Sequence, residues 1–193
     1  MRTLRYRLID NFLEGRQCRT LIELAKPLLI PSTTWNARNS NPRFSDSRRS
    51  DHMFFELGEN QVVKQIEQKI ADVTHVAIEN GEGLQVVRYM QGGYYKPHWD
   101  YFTSHEGNRI MFERGGQRII TVILYLNTSY ARGSETYFPY INLKIEPKEG
   151  LALIWYNVDE SGRVDRSTLH ESTPVKCGEK WIATMWLREF KCR

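Results

Sequence analysis

Two stretches in the first eighty residues repeat their apolar side chains at helical spacing. The first consists of Leu21, Leu24, Ala25 and Leu28 and is ended by Pro31; the second, opened by Gly58-Glu59-Asn60, consists of Val62, Val63, Ile66, Ile70 and Val73. Apolar positions three and four residues apart share one face of an α-helix. The pattern therefore predicts two amphipathic helices, each packing one face on something flat.

From Leu84 onward the pattern changes to short runs rich in Val, Ile, Tyr, Thr and Trp, split by Gly, Pro, Asn and Asp, which is typical of strands. Eight runs cover residues 84–90, 94–101, 117–127, 135–138, 142–146, 151–156, 167–171 and 180–188. Helices first and strands after favour an α+β fold, since a parallel sheet would need helices between the strands. About eight neighbouring strands predict a barrel or a double-sheet jelly roll.

The length of 193 residues suits one compact domain, which we expect to span 1–193. Residues 119–126 form the longest apolar run, far short of the roughly 20 residues that a membrane-spanning helix needs. The opening MRTLRYRLIDNFLEG lacks the apolar stretch of a signal peptide. We therefore expect a cytoplasmic protein with no membrane partner.

Cysteines are few and their number is odd. Cys18, Cys177 and Cys192 stand at unrelated spacings, whereas a disulfide scaffold shows dense, paired cysteines. They are interpreted as free thiols in a reducing compartment, with a bridge between Cys177 and Cys192 as the alternative.

Positive charge is mild overall but concentrated in one polar stretch. The net charge is +4, which permits a nucleic acid or an acidic partner without requiring either. Residues 35–51 have no apolar period and carry Arg38, Arg43, Arg48 and Arg49. This stretch is either a solvated loop or a lid that contacts substrate. The connection 104–116 is similarly polar, and it directly follows the residues that carry the candidate chemistry.

The candidate metal ligands begin with His98-Trp99-Asp100. Side chains alternate along a strand, so His98 and Asp100 point to the same face and could bind one metal ion. Of the other histidines, only His170 lies in a short run late in the strand-rich half. Two histidines and one carboxylate leave open positions on an octahedral ion, the arrangement of non-haem Fe(II) oxygenases. Alone, the tripeptide is weak evidence, because His beside Asp is often only a surface pair.

Lys180 is the second unusual residue. It opens the apolar run 180–188 and shares a face with Ile182, Thr184, Trp186 and Arg188. A lysine at this position is either an edge residue with an extended stem or a buried cation that awaits an anion. By itself the pattern favours the edge interpretation.

Four segments together resemble the catalytic domain of the prolyl 4-hydroxylases, which are Fe(II)- and 2-oxoglutarate-dependent dioxygenases. They are LQVVRYMQGGYYKPHWDYF, GGQRIITVILYLN, GSETYFP and LHESTPVKCGEKWIATMWLRE, and they occur in the family's order. The N-terminal segment LIDNFLEGRQCRTLIELAKP and the helix before ENGEGLQVV also resemble this family. As a whole, the chain resembles the small stand-alone bacterial, algal and viral members. The resemblance implies a double-stranded β-helix, or jelly-roll, core with N-terminal helices packed on one sheet.

The resemblance also implies roles for individual residues. His98, Asp100 and His170 would be the Fe(II) ligands, and Lys180 would pair with the distal carboxylate of the cosubstrate 2-oxoglutarate. Tyr89 and Thr121 fall where the family has hydroxyl groups near that carboxylate. Dioxygen would be the second cosubstrate, and ascorbate is a candidate reductant.

For the substrate, the resemblance implies a proline-containing peptide or protein. The substrate-binding candidates are Tyr95, Trp186, Glu82 and Arg118; for the two aromatic residues the alternative is a core position, and for the other two a structural ion pair. Oxidation of another amino acid or of nucleic acid is a second hypothesis. A resemblance to nucleic-acid demethylases would, however, imply an arginine that binds the cosubstrate, and this chain has Lys180 at that position. The third is a non-catalytic jelly-roll binding module, which the intact set of ligands disfavours.

Overall fold

A computed structural model describes residues 4–36, 41–43, 45–103, 109–129 and 133–192. Its α-helices are α1 (Gly15–Ala25), α2 (Gln61–Thr74) and the short α3 (Arg109–Glu113). Single 3₁₀ turns cover Lys26–Leu28, Ile78–Asn80, Pro139–Ile141 and Arg166–Thr168. The two predicted helices are thus confirmed as α1 and α2. The structure adds the one-turn helix α3, which begins nine residues after Asp100.

The buried face of α1 differs from the predicted stripe. Cys18, Leu21 and Ala25 are fully buried, whereas Leu24 and Leu28 are 41% and 55% exposed. Leu28 lies in the 3₁₀ turn that follows α1, because Pro27 cannot donate the hydrogen bond that would continue the α-helix. At the start of α2, the side chain of Asn60 accepts a hydrogen bond from the backbone N–H of Val63 at 3.0 Å, a typical N-cap.

Seven strands form the larger sheet, and every pair in it is antiparallel. With strands numbered along the chain, its order is β1 (Tyr6–Ile9), β12 (Ala152–Tyr156), β9 (Arg118–Tyr125), β14 (Lys180–Arg188), β7 (Leu84–Tyr89), β6 (Asp51–Phe55) and β2 (Ile30–Pro31). The strand that begins with Lys180 therefore lies in the interior of this sheet.

Five strands form the smaller sheet, also antiparallel. Its order is β11 (Leu143–Ile145), β10 (Thr136–Phe138), β13 (His170–Ser172), β8 (Tyr94–His98) and β5 (Arg48–Arg49). A separate hairpin pairs β3 (Thr34–Asn36) with β4 (Asn41–Arg43). The two sheets form the predicted jelly-roll core, and all eight predicted runs contain strands, namely β7 to β14.

The core has two apolar layers, one on each face of the larger sheet. Val122 and Leu124 of β9 lie in the layer beneath α1 and α2, whereas Ile123 and Tyr125 of the same strand lie in the layer between the sheets. This alternation follows from the two-residue period of a strand. The layer between the sheets ends at the polar residues that form the site.

The structure also describes the state of the cysteines and the length of the helices. Cys18, Cys177 and Cys192 are free, as predicted. Within the described part of the chain, no helix is long and apolar enough to cross a membrane.

Candidate active site

Two adjacent strands of the smaller sheet bring the three predicted metal ligands together. His98 ends β8, Asp100 follows two residues later, and His170 opens β13 directly opposite His98. His98 Nε2 lies 3.6 Å from Asp100 Oδ1, and His170 Nε2 lies 3.8 Å from Asp100 Oδ2. One candidate ligand atom from each residue falls within 4.8 Å of the other two. The same-face prediction for His98 and Asp100 holds in this geometry.

Hydrogen bonds determine which nitrogen of each histidine is free. His98 Nδ1 lies 2.9 Å from the carbonyl oxygen of Lys96, and His170 Nδ1 lies 2.9 Å from that of Thr168. A carbonyl can only accept, so each Nδ1 carries a proton, and in the neutral form of each ring Nε2 has the free lone pair. Desolvation and the neighbouring His170 lower the pKa of His98 to about 3, which keeps this imidazole neutral.

Asp100 completes the donor set as a carboxylate. Burial alone would raise its pKa, but the surrounding histidines, Arg118 and a hydrogen bond from Thr121 lower it below the usual range. Two neutral imidazole nitrogens and one carboxylate suit a divalent transition metal that retains open positions. The residues present therefore fit an Fe(II) ion.

Three further side chains extend from Asp100 into the core. Thr121 Oγ1 donates to Asp100 Oδ2 at 2.8 Å, Asn157 Nδ2 donates to Thr121 Oγ1 at 2.9 Å, and Trp155 Nε1 donates to Asn157 Oδ1 at 2.9 Å. The family resemblance implies that the Thr121 hydroxyl lies near the distal carboxylate of the cosubstrate. In the structure this hydroxyl donates to Asp100, and its assignment to the cosubstrate stays a prediction.

Lys180 is a buried cation without a buried anion. Its side chain is fully enclosed, and Nζ donates to Ser172 Oγ at 2.9 Å. Nζ also lies 5.4 Å from the ring centre of Tyr89 and 5.9 Å from that of Tyr125. Among the described residues, no carboxylate lies within ion-pair distance of it. The edge interpretation of Lys180 is wrong, because β14 is an interior strand.

The environment of Lys180 works against its charge. Burial lowers its pKa from 10.5 to about 7, and Glu135 offsets this only in part. A buried ammonium of this kind gains most from an anionic ligand that enters the cavity. The structure thus favours the interpretation in which the cation awaits an anion.

One narrow cavity, which we call the site cavity, joins the metal ligands to Lys180. Its lining also includes Tyr89, Tyr95, Ser172 and Trp186. Tyr95 stacks on His98 with ring centres 3.6 Å apart. The Tyr89 hydroxyl faces Ser172 and Arg48, while burial raises the pKa of Tyr89. Of the predicted cosubstrate and substrate residues, Tyr89, Tyr95, Trp186 and Lys180 thus share a single cavity.

Glu82 and Arg118 form an ion pair beside this cavity. Arg118 donates from Nε to Glu82 Oε1 and from Nη2 to Oε2, both at 2.6 Å, and Arg188 Nη1 donates to Oε1 at 2.8 Å. Arg118 also lies over the Trp186 ring, 4.0 Å from its centre. The ion-pair alternative for Glu82 and Arg118 is therefore present in the structure, and their contact with substrate stays a prediction.

Sequence reasoning missed several residues of the site. Ser172 lies two positions beyond His170 and Tyr125 lies four beyond Thr121, so strand alternation alone could have placed both on the site's face. Arg48 was treated only as one of the loop arginines, yet it lines the site cavity and lies 4.8 Å from the Tyr95 ring centre. The pairing of β5 with β8 brings Arg48 opposite Tyr95, and no local pattern indicates such a long-range pair.

Comparison with known proteins identifies the class of this site. The family model for the 2OG-Fe(II) oxygenase superfamily matches residues 84–188, which include His98, Asp100, His170 and Lys180. The chain belongs to this superfamily, and the predicted dependence on Fe(II) and 2-oxoglutarate is confirmed.

Relatives within the superfamily are prolyl 4-hydroxylases. The chain is 37% identical to prolyl 4-hydroxylase 5 of Arabidopsis thaliana, over 94% of this chain and 68% of the relative. It is also 37% identical to a putative prolyl 4-hydroxylase of Acanthamoeba polyphaga mimivirus, over 95% of this chain and 74% of the relative. A crystal structure of the viral collagen prolyl hydroxylase from Paramecium Bursaria Chlorella virus-1, in its 2OG complex, shares 32% identity, with 95% of each chain covered and a TM-score of 0.76.

Proposed function

We propose that this protein hydroxylates prolyl residues in a peptide or protein. One oxygen atom of dioxygen is inserted into a proline C–H bond to give a hydroxyl group. The other oxygen atom enters succinate as 2-oxoglutarate loses carbon dioxide. The observation that carries the proposal is the single cavity that joins His98, Asp100 and His170 to the buried cation of Lys180. The relatedness to prolyl 4-hydroxylases supports proline as the target.

Each of these residues has a distinct role in this proposal. His98, Asp100 and His170 hold the Fe(II) ion, which when bound supplies the chemistry that activates dioxygen. Lys180 pairs with the distal carboxylate of 2-oxoglutarate, in surroundings of low polarity that strengthen the attraction. The aromatic walls of the cavity, including Tyr95 and Trp186, exclude water and orient the C–H bond that reacts.

A polar groove provides the path for a peptide. The groove encloses about 860 Å³ and is lined by residues of the 45–51 segment together with Lys96. Arg48 lines both this groove and the site cavity, so the two spaces meet at its side chain. Proline-rich peptides are already extended in solution, which lowers the entropy cost of binding in such a groove. Three cations, Arg48, Arg49 and Lys96, outnumber the two carboxylates of the lining, Asp46 and Asp51, and favour acidic residues next to the target proline.

The two expected lids are described only in part. Arg38 and residues 104–108 lie outside the described residues, and Arg43 is described only as part of β4. That the 35–51 and 104–116 segments close over a peptide remains part of the proposal. Arg48, Arg49 and α3 are parts of these segments whose contacts the structure describes, so mutations are best designed there.

The test is turnover with Fe(II) and 2-oxoglutarate, followed by mass spectrometry. Proline-rich peptides with neutral and acidic flanks, free proline and single-stranded DNA are compared at low and high salt. We expect the peptides alone to gain one oxygen atom, and the acidic-flanked peptide to lose its advantage at high salt and in Arg48→Ala. Arg16→Ala, a change on α1, is the control. Oxidation of DNA or of free proline without any peptide product would refute the proposal.

A further inference from the structure

A linear chain of hydrogen bonds runs from the core to the carboxylate of Asp100. It begins at Trp155, passes through Asn157 and Thr121, and reaches Asp100 Oδ2 in three links of 2.8 to 2.9 Å. Trp155, Asn157 and Thr121 have no solvent exposure. Buried polar groups of this kind cannot exchange their partners for water, so each link is kept only if the whole chain is satisfied.

The donors in this chain can point in only one direction. An indole N–H only donates, so the Asn157 oxygen must face Trp155 and the Asn157 amide nitrogen must face Thr121. Thr121 Oγ1 accepts from that nitrogen, and its single hydrogen is directed to Asp100. The orientation of the Thr121 hydroxyl is therefore determined by a tryptophan three links away.

The backbone and the aromatic packing hold this chain in place. The Asn157 N–H donates to the carbonyl oxygen of Ile119 at 2.8 Å, and its own carbonyl accepts from the N–H of Asp165 at 2.9 Å. The Trp155 ring packs at 64° against the ring of His170, with centres 4.7 Å apart. Trp155 thus contacts one candidate ligand directly and reaches a second through Asn157 and Thr121.

We propose that Asn157 and Thr121 are positioning residues for the metal centre. By donating to Oδ2 of Asp100, the Thr121 hydroxyl restricts the rotation of the carboxylate, whose Oδ1 lies 3.6 Å from His98 Nε2 and whose Oδ2 lies 3.8 Å from His170 Nε2. This inference rests on the proposed function, in which Asp100 is an Fe(II) ligand. Loss of a group that orients a ligand typically weakens metal binding by about 10- to 100-fold.

The experiment measures metal binding directly. Four proteins are titrated: the wild type, Thr121→Val, Thr121→Ser and Asn157→Ala. Fe(II) is added anaerobically, and in a separate titration Co(II) binding is followed by visible absorption. Thr121→Val keeps the shape but removes the hydroxyl, and should weaken both ions about 10- to 100-fold and alter the Co(II) spectrum. Thr121→Ser keeps the hydroxyl and should restore most of the affinity, while Asn157→Ala should weaken binding in the same direction.

A matched control separates the proposal from a general loss of stability. Thr74→Val removes another buried threonine hydroxyl, which donates to the carbonyl of Ile70 in α2, and should leave metal affinity unchanged. Thermal unfolding without metal is recorded for every variant. Equal affinity in the wild type and Thr121→Val, or equal losses in Thr121→Val and Thr121→Ser, would overturn the proposal. A wild type that binds neither ion would instead refute the proposed function.

Discussion

The binding of 2-oxoglutarate should depend on pH through Lys180. This side chain is fully buried, and its hydrogen bond to Ser172 supplies no negative charge. Its pKa is lowered to about 7, so above pH 7 most of the ligand-free protein has a neutral Lys180. Because the ammonium form pairs with a carboxylate, the cosubstrate must then bind together with a proton.

The size of this effect follows from the two pKa values. A fall from 10.5 to about 7 means that the surroundings of Lys180, burial and Glu135 together, oppose the charge by about 5 kcal/mol. Above pH 7 the affinity for 2-oxoglutarate should therefore fall about tenfold per pH unit, and below pH 7 it should be nearly constant. The stability of the ligand-free protein has the opposite trend. Between pH 7 and 10.5 the unfolded chain binds more protons at this residue, so stability rises with pH.

The assay is an anaerobic titration of the metal-loaded protein with 2-oxoglutarate at several pH values. Lys180→Met removes the charge but keeps most of the volume. Loss of one member of a buried ion pair costs roughly 3 to 5 kcal/mol, so affinity should drop by a factor of about 10² to 10⁴ and lose its dependence on pH. Lys69→Met, which removes a partly buried lysine bonded to the carbonyl of Phe12, should change neither.

Two results would refute this reasoning in different ways. Unchanged affinity in Lys180→Met would show that the cosubstrate carboxylate binds elsewhere. Reduced affinity in that variant, combined with a flat pH profile in the wild type, would show that Lys180 stays charged in the ligand-free protein. The second result would contradict the argument from desolvation while leaving the ion pair in place.

Two further changes have expected outcomes. Asp100→Ala should abolish Fe(II) binding in an anaerobic titration, because it removes one of the three proposed ligands and the charge that would balance the ion; full iron occupancy with normal turnover would contradict the assignment. Glu82→Gln should destabilise the protein by about 3 to 5 kcal/mol in denaturant at pH 7, because Arg118 and Arg188 lose their shared carboxylate. The pKa of Glu82 is lowered, so its contribution is present above pH 4.5 and lost as pH falls, and the difference from wild type should shrink in acid.

Local patterns indicated the elements with strong periodicity and missed those without it. Strands such as β7, β9 and β14 are long and apolar enough to be identified from the sequence, whereas β5 consists of Arg48 and Arg49 alone and exists only because it pairs with β8. The buried face of α1 differs from the predicted apolar face because Cys18, which is as buried as Leu21, belongs to it and the apolar pattern did not include a cysteine.

The same limit applies to the site. Alternation along one strand relates His98 to Asp100, because both lie on a continuous segment of chain. The bond between Thr121 and Asp100 joins residues from different strands, and its existence depends on how the sheets pack. The position of His170 in a late strand-like run made it the candidate third ligand, whereas only the resemblance to a family joined Lys180 to the same site.

Three buried polar contacts tie the two sheets together: Thr121 to Asp100, Lys180 to Ser172, and the Tyr125 hydroxyl to Thr136. In the proposed function, an Fe(II) ion bound next to the smaller sheet and a 2-oxoglutarate held by Lys180 of the larger sheet would add a further bridge at the same end. Ligands that bind only the locally folded state lower the population of the locally open state by the factor 1 + [L]/Kd. Hydrogen exchange at the backbone amides of β8 and β13 should therefore report whether metal and cosubstrate are bound. These amides should exchange faster in the ligand-free protein, while the exchange rates at the centre of the larger sheet should change least.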